Sequence, residues 1–91
     1  MQRLPEQCKK YGYTLKLVKR SPNKAIYGQY VGDHLIAYEV IKIRVRPKRY
    51  SQFLKVHQEA AEIYPCNEQW GDLGWTCKTR EKALEKYNSL I

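Results

Sequence analysis

The chain has 91 residues, a mass of 10.8 kDa and 43% hydrophobic composition, which excludes a second independent core, because chains divide into domains only at greater length. Seventeen Lys and Arg against nine Asp and Glu give a net charge of +8, a balance that favours acidic partners. No apolar run approaches the roughly 20 residues of a membrane-spanning helix. The opening Met1-Gln2-Arg3-Leu4-Pro5-Glu6 lacks the apolar stretch of a secretory signal, so no membrane partner and a cytoplasmic location are expected.

Residues 1–10, with Pro5 and a Cys8-Lys9-Lys10 end, carry little periodicity and read as an extended or mobile arm, with a single domain over 11–91. Structure is expected to begin near Tyr11. Tyr13, Leu15 and Leu17 alternate with Thr14, Lys16 and Val18, the period of a half-buried strand. Ser21-Pro22-Asn23-Lys24 suits a type I turn, because proline fixes φ at the second position and asparagine tolerates the third. Ala25 to Val31 reads as the returning strand and stops at Gly32-Asp33, a tight two-residue connection. His34 to Arg46 is the most strand-like stretch, ended by Pro47. Both faces of its first half are largely apolar, as in a central strand, whereas Ile41, Ile43 and Val45 alternate with Lys42, Arg44 and Arg46.

The segment 47–73 supports two readings. Ser51 suits a helix cap, with Phe53, Val56, Ala60 and Ile63 following at helical spacing, His57 beside them and Pro65 as the stop. Alternatively, the loop-like Lys48-Arg49-Tyr50 and Pro65-Cys66-Asn67-Glu68 make it a long irregular excursion. Gly71 and Gly74 bracket a turn into a short fourth strand over Trp75-Thr76-Cys77-Lys78. Thr79 suits an N-cap, Glu81 complements the helix dipole, and Ala83, Leu84, Tyr87, Leu90 and Ile91 form one apolar stripe. The expected fold is α+β: an antiparallel meander of three to four strands, covered on one face by a C-terminal helix, with a short middle helix as the first reading of 47–73.

Charge is unevenly spread, with 13 basic and 3 acidic residues in 1–58 against 4 and 6 in 59–91. The strongest candidate site is the basic stripe Lys42, Arg44 and Arg46, whose same-face side chains on a strand stand about 6.6 Å apart, near the spacing of successive phosphates on one nucleic-acid strand. Lys16 and Arg20 extend it sideways if register allows, Lys48 and Arg49 extend it lengthwise, and the eight tyrosines offer faces for packing or base stacking. A bland explanation weighs equally: charged strand faces keep small domains soluble and discourage edge aggregation. Trp70 with Glu68 and its loop is the other unusual cluster, either a core anchor or a contact for a protein partner.

Signals for chemistry are weak. The odd set Cys8, Cys66 and Cys77 has no C-x-x-C spacing, so reduced thiols are expected rather than a zinc site with His34 or His57. Glu62, Glu68 and Asp72 read as solvated carboxylates. Without a Walker loop, dinucleotide fingerprint, zinc-protease helix or nucleophile elbow, neither an enzyme nor a cofactor is expected.

Two resemblances follow. The run Gly74-Trp75-Thr76-Cys77-Lys78-Thr79-Arg80-Glu81-Lys82-Ala83-Leu84-Glu85-Lys86-Tyr87 after a meander resembles the closing motif of AP2-type and phage-integrase amino-terminal DNA-binding domains. That resemblance implies a three-stranded sheet laid in the major groove with the helix behind it; residues 47–73 have no counterpart there. Tyr64-Pro65-Cys66-Asn67-Glu68-Gln69-Trp70-Gly71, then Gly74-Trp75-Thr76 and the terminal helix, is similar to small uncharacterised proteins of bacteriophages and mobile elements, and implies a setting without an activity. The expected function is non-enzymatic binding of DNA or RNA phosphates through the open sheet face. The alternatives are a protein-binding accessory or anti-defence factor of a phage or mobile element, contacting a host or phage protein through Trp70, and a structural protein whose charge serves solubility alone.

Overall fold

A computed structural model describes residues 2–10, 12–52 and 55–90; Tyr11, Phe53 and Ile91, named above as a start point and as stripe positions, lie outside the described residues. The protein is α+β. Five antiparallel strands, β1 (Gln7–Lys10), β2 (Tyr13–Ser21), β3 (Lys24–Val31), β4 (His34–Lys42) and β9 (Gly74–Cys77), lie in the order β1-β2-β3-β4-β9. The helix α1 (Arg80–Ser89) packs on β3, β4 and β9.

The two hairpins form where the turn chemistry places them, at Pro22-Asn23 and at Gly32, whose φ of 59° suits glycine. Thr79 caps α1, its side-chain oxygen accepting from the Lys82 N–H at 3.2 Å. The N-terminal segment is no free arm: Cys8 pairs with Leu15 and Lys10 with Tyr13, so residues 7–10 add an edge strand. Tyr27 donates to the Pro5 carbonyl at 2.7 Å, tying the preceding turn to the core.

Alternation along the central strands divides the core. Leu15, Ala25, Tyr27, Ile41 and Ile43 are buried on one face, with Leu4, Cys8, Leu17, Tyr64 and Trp70 packed over them. Ile26 and Val40 are buried on the other, against Ala83 and Tyr87 of α1. The face opposite the helix is therefore covered by the chain from Tyr64 to Trp70 rather than open, which corrects the expected location of a sheet-face site. Both faces are desolvated where β3 and β4 run beneath these layers, at Ala25 to Gly28 and at Val40 and Ile41, whereas His34, Leu35 and Ile36 at the start of β4 and Val31 at the end of β3 are exposed, so the apolar first half of the long strand is not covered on both sides as expected.

Among the described residues of 47–73 no α-helix forms, which corrects the expected middle helix. Instead β5 (Arg44–Arg46) pairs with β8 (Ala61–Ile63), and β6 (Arg49–Ser51) with β7 (Val56–Gln58), all antiparallel, to make a two-stranded ribbon. The fourth strand ends at Lys42, and the Ile43 N–H donates to the Asn23 carbonyl at 2.8 Å, in the register that pairs Lys42 with Lys24. After Pro65, a 3-10 turn (Asn67–Gln69) leads into the turn before β9, where Gly71 holds a φ of 98°. The ribbon makes the molecule long: the radius of gyration is 14.3 Å with extents of 44 × 31 × 22 Å, against about 12 Å for a compact chain of this length. The exposed area, 6495 Å², likewise exceeds the roughly 5,500 Å² expected from the mass. Among the described residues no helix is long and apolar enough to cross a membrane.

Candidate nucleic-acid interface

Register separates the cations that the sequence groups together. The β2–β3 pairing sets Lys16 opposite Gly28 and Arg20 opposite Ala25, with a bulge between Leu17 and Lys19. One extra residue reverses the alternation, so Lys16 lies on the helix-side face and Arg20 on the opposite one. Lys16 is exposed, its ammonium 4.7 Å from the centre of the Tyr30 ring. Arg20 is spent: its guanidinium meets the Glu62 carboxylate at 2.6 and 2.8 Å. The Glu62 side chain is only 3% exposed, so this pair offers no free charge to a phosphate.

The three residues of the proposed stripe differ in exposure. Lys42 is half-buried opposite Lys24, whose ammonium donates to the Tyr87 and Leu90 carbonyls at the end of α1. Beyond Ile43, Arg44 and Arg46 belong to the ribbon. Arg44 is exposed, whereas Arg46 is half-buried, with Nη2 donating to the Glu59 carbonyl at 3.1 Å. Lys48 and Arg49 are exposed further out, Arg49 donating to the Gln58 side chain at 3.1 Å.

What the fold assembles is a cationic ribbon. From residue 44 to residue 58 it carries Arg44, Arg46, Lys48, Arg49 and Lys55 and no carboxylate. Eight extended residues, 44–51, reach roughly 25 Å. Tyr50 and His57 face each other across β6 and β7 with ring centres 5.0 Å apart, and Val45, Tyr50 and Val56 are each about half exposed. Lys55 was not among the sequence candidates, and Tyr50 was offered as a stacking face but not paired with His57; the signal available was the acid-free run 44–58, obscured by the helical spacing read through it.

The remaining candidates, Trp70 and Glu68, lie in the segment that covers the sheet. Trp70 is half-buried: its indole N–H donates to the Thr76 hydroxyl at 2.9 Å, and its ring stacks on Tyr64 with centres 6.5 Å apart. Gly74 lies beneath the indole. Glu68 is exposed on the 3-10 turn. Cys8, Cys66 and Cys77 form no disulfide, and burial raises the Cys77 thiol above its ordinary value. Comparison with protein-family models, curated proteins and solved structures finds no match to this chain.

Proposed function

We propose that this protein is a non-enzymatic DNA-binding module that seats the 44–58 ribbon in the major groove of a duplex. One observation carries the reading: the two-stranded ribbon bears five cationic side chains and no acidic one from residue 44 to residue 58, its carboxylates, Glu59 and Glu62, coming only on the returning chain. The major groove of B-form DNA, about 12 Å wide, admits a two-stranded ribbon, whereas the deep, narrow major groove of A-form RNA does not. Arg44, Lys48, Arg49 and Lys55 supply phosphate contacts, and Tyr50 and the valines supply apolar contact at the groove floor. Glu62 lies at the ribbon's root and is neutralised by Arg20, so it does not oppose an approaching polyanion.

Titration of labelled duplex DNA at several salt concentrations tests the reading. Four phosphate contacts give a log–log salt slope of about −3.6, equivalent to a loss of about two orders of magnitude in affinity between about 50 and 200 mM salt. The triple variant Arg44→Glu, Lys48→Glu, Arg49→Glu should abolish binding and keep a cooperative melt. Equal affinity for duplex RNA, or normal binding by the triple variant, would reject the ribbon as the reader.

A further inference from the structure

Away from the ribbon, the covered face of the sheet holds a cleft of roughly 250 Å³ lined by Lys10, Tyr13, Gln29, Glu39, Tyr64 and Trp70, with Leu15 at its floor. Its size is below that of pockets for drug-sized ligands, about 300–1,000 Å³, and suits one ring system. Topology brings these residues together from five places in the chain. Tyr13 and Leu15 come from β2, Gln29 from β3, Glu39 from β4 and Lys10 from β1, while Tyr64 and Trp70 belong to the segment folded over them.

The polar groups are disposed unequally. Tyr64 donates its hydroxyl proton to Glu39 Oε1, and burial followed by the Glu39 charge pushes the phenol well above its ordinary range, so it stays a donor. Among the described residues no second donor is recorded at Glu39, which leaves Oε2 to accept from a guest. The Gln29 side chain has no recorded protein partner either, and a carboxamide offers a donor and an acceptor side by side. Lys10 is held in place, its ammonium 3.2 Å from the Pro65 carbonyl and 4.2 Å from the centre of the Tyr64 ring. With one ammonium and one carboxylate the lining is balanced in charge, and its walls are aromatic. An uncharged planar ring loses little on entering such a site, whereas an ion would have to displace Lys10 or oppose Glu39.

We infer that this cleft binds a single nucleobase, its ring against the Tyr13, Tyr64 and Trp70 walls and its N–H edge donating to Glu39 while the Gln29 amide reads the adjoining group. The site is separate from the ribbon and goes beyond groove binding. The carboxylate sets a preference. Guanine presents adjacent N–H donors to one acceptor, whereas the single N–H of uracil or thymine is flanked by carbonyl oxygens that a carboxylate repels.

Trp70 reports occupancy directly. In the Trp75→Phe variant it is the sole tryptophan, and Trp75 lies on the helix side beneath Lys86, outside the cleft. Titrating this protein with the 5′-monophosphates of guanosine, adenosine, cytidine and uridine should give saturable quenching, with guanosine monophosphate at least tenfold tighter than uridine monophosphate. Ribose 5-phosphate should give none. Gln29→Ala and Glu39→Gln should each lose the guanosine preference while retaining a cooperative melt, and Gln29→Ala serves alone if Glu39→Gln unfolds. No quenching, equal response to ribose phosphate, or an unchanged preference in the folded variants would overturn the inference.

Two further arms separate sources and sites. A single-stranded oligonucleotide containing guanine that quenches as the mononucleotide does assigns the cleft to an unpaired base in a strand. Quenching by the mononucleotide alone assigns it to a free nucleotide. The Arg44→Glu, Lys48→Glu, Arg49→Glu variant should keep the mononucleotide response whether or not duplex binding exists, so failure of the ribbon reading leaves this test intact; loss of the response in that folded variant would overturn a separate cleft.

Discussion

Arg20 and Glu62 form a two-point ion pair, Nη1 to Oε1 at 2.8 Å and Nη2 to Oε2 at 2.6 Å, that fastens β2 to the root of the ribbon. The Glu62 carboxylate also accepts the Leu4 N–H at 2.9 Å, so one acidic group holds three parts of the chain.

A pH dependence follows from that pair. The Arg20 hydrogen bonds, opposed by burial and aided by the Leu4 N–H, hold the Glu62 carboxyl down at about 2 from an ordinary 4.5. A depressed acid contributes stability that is present above its unfolded value and lost as pH falls through its folded value. Tm should therefore decline between about pH 5 and pH 2, with a contribution on the order of 2–3 kcal/mol at neutral pH. Glu62→Gln should lower Tm at pH 7 by roughly 10 °C and flatten that acid limb. An unchanged acid limb in the variant would place the dependence elsewhere.

The same pair distinguishes structural from binding arginines. Arg44→Ala should reduce the magnitude of the DNA salt slope by about 0.9, one phosphate contact, with little change in Tm. Arg20→Ala should lower Tm and leave the slope of the folded protein unchanged. Parallel titration and thermal melting of the two variants check both outcomes.

Gly74 shows how closely the covering segment packs. A Cβ there would stand 2.4 and 2.6 Å from two carbons of the Trp70 ring, so the indole must move and its hydrogen bond to Thr76 must lengthen. Gly74→Ala should destabilise by about 1–3 kcal/mol and shift the tryptophan emission of the folded protein to the red. A native spectrum and melt would contradict the packing described for Trp70.

Tyr27 contributes to the alkaline side, together with the still more strongly raised Tyr64. Burial first, with Cys8 adding to it, pushes the Tyr27 phenol up to about 12, while Arg20 opposes. A group whose folded value is raised contributes stability below its unfolded value, about 10 for tyrosine, and loses it as pH rises through the folded one. Stability should fall between about pH 10 and pH 12, with phenolate absorbance from Tyr27 appearing only as the protein unfolds. Tyr27→Phe should remove this component and, through loss of the bond to the Pro5 carbonyl, increase hydrogen exchange at residues 7–10.

Legibility divided along the range of the forces involved. Pro22-Asn23, Gly32-Asp33 and Thr79 act within a few residues, so the two hairpins and the capped helix could be read directly. Gln7 to Lys10 could not, because an edge strand this polar gains its pairing from Tyr13 to Lys16 rather than from its own pattern. In 47–73 the spacing of Val56, Ala60 and Ile63 fits a helix, yet a short apolar run carries an ambiguous period. The pairing of Arg44 with Ile63 and of Arg49 with Gln58 decided for strands.

The amino-acid sequence by itself determined the α+β class, the central meander, the terminal helix and the concentration of positive charge in the first two-thirds of the chain, since each depends on local propensity, turn chemistry or composition. Only the tertiary structure decided which charges act together. A bulge after Leu17 puts Arg20 on the face opposite Lys16 and Lys42, and Glu62 cancels its charge across 42 positions of sequence. A single-residue change of register reverses the face on which every later side chain stands, and no local pattern records that change.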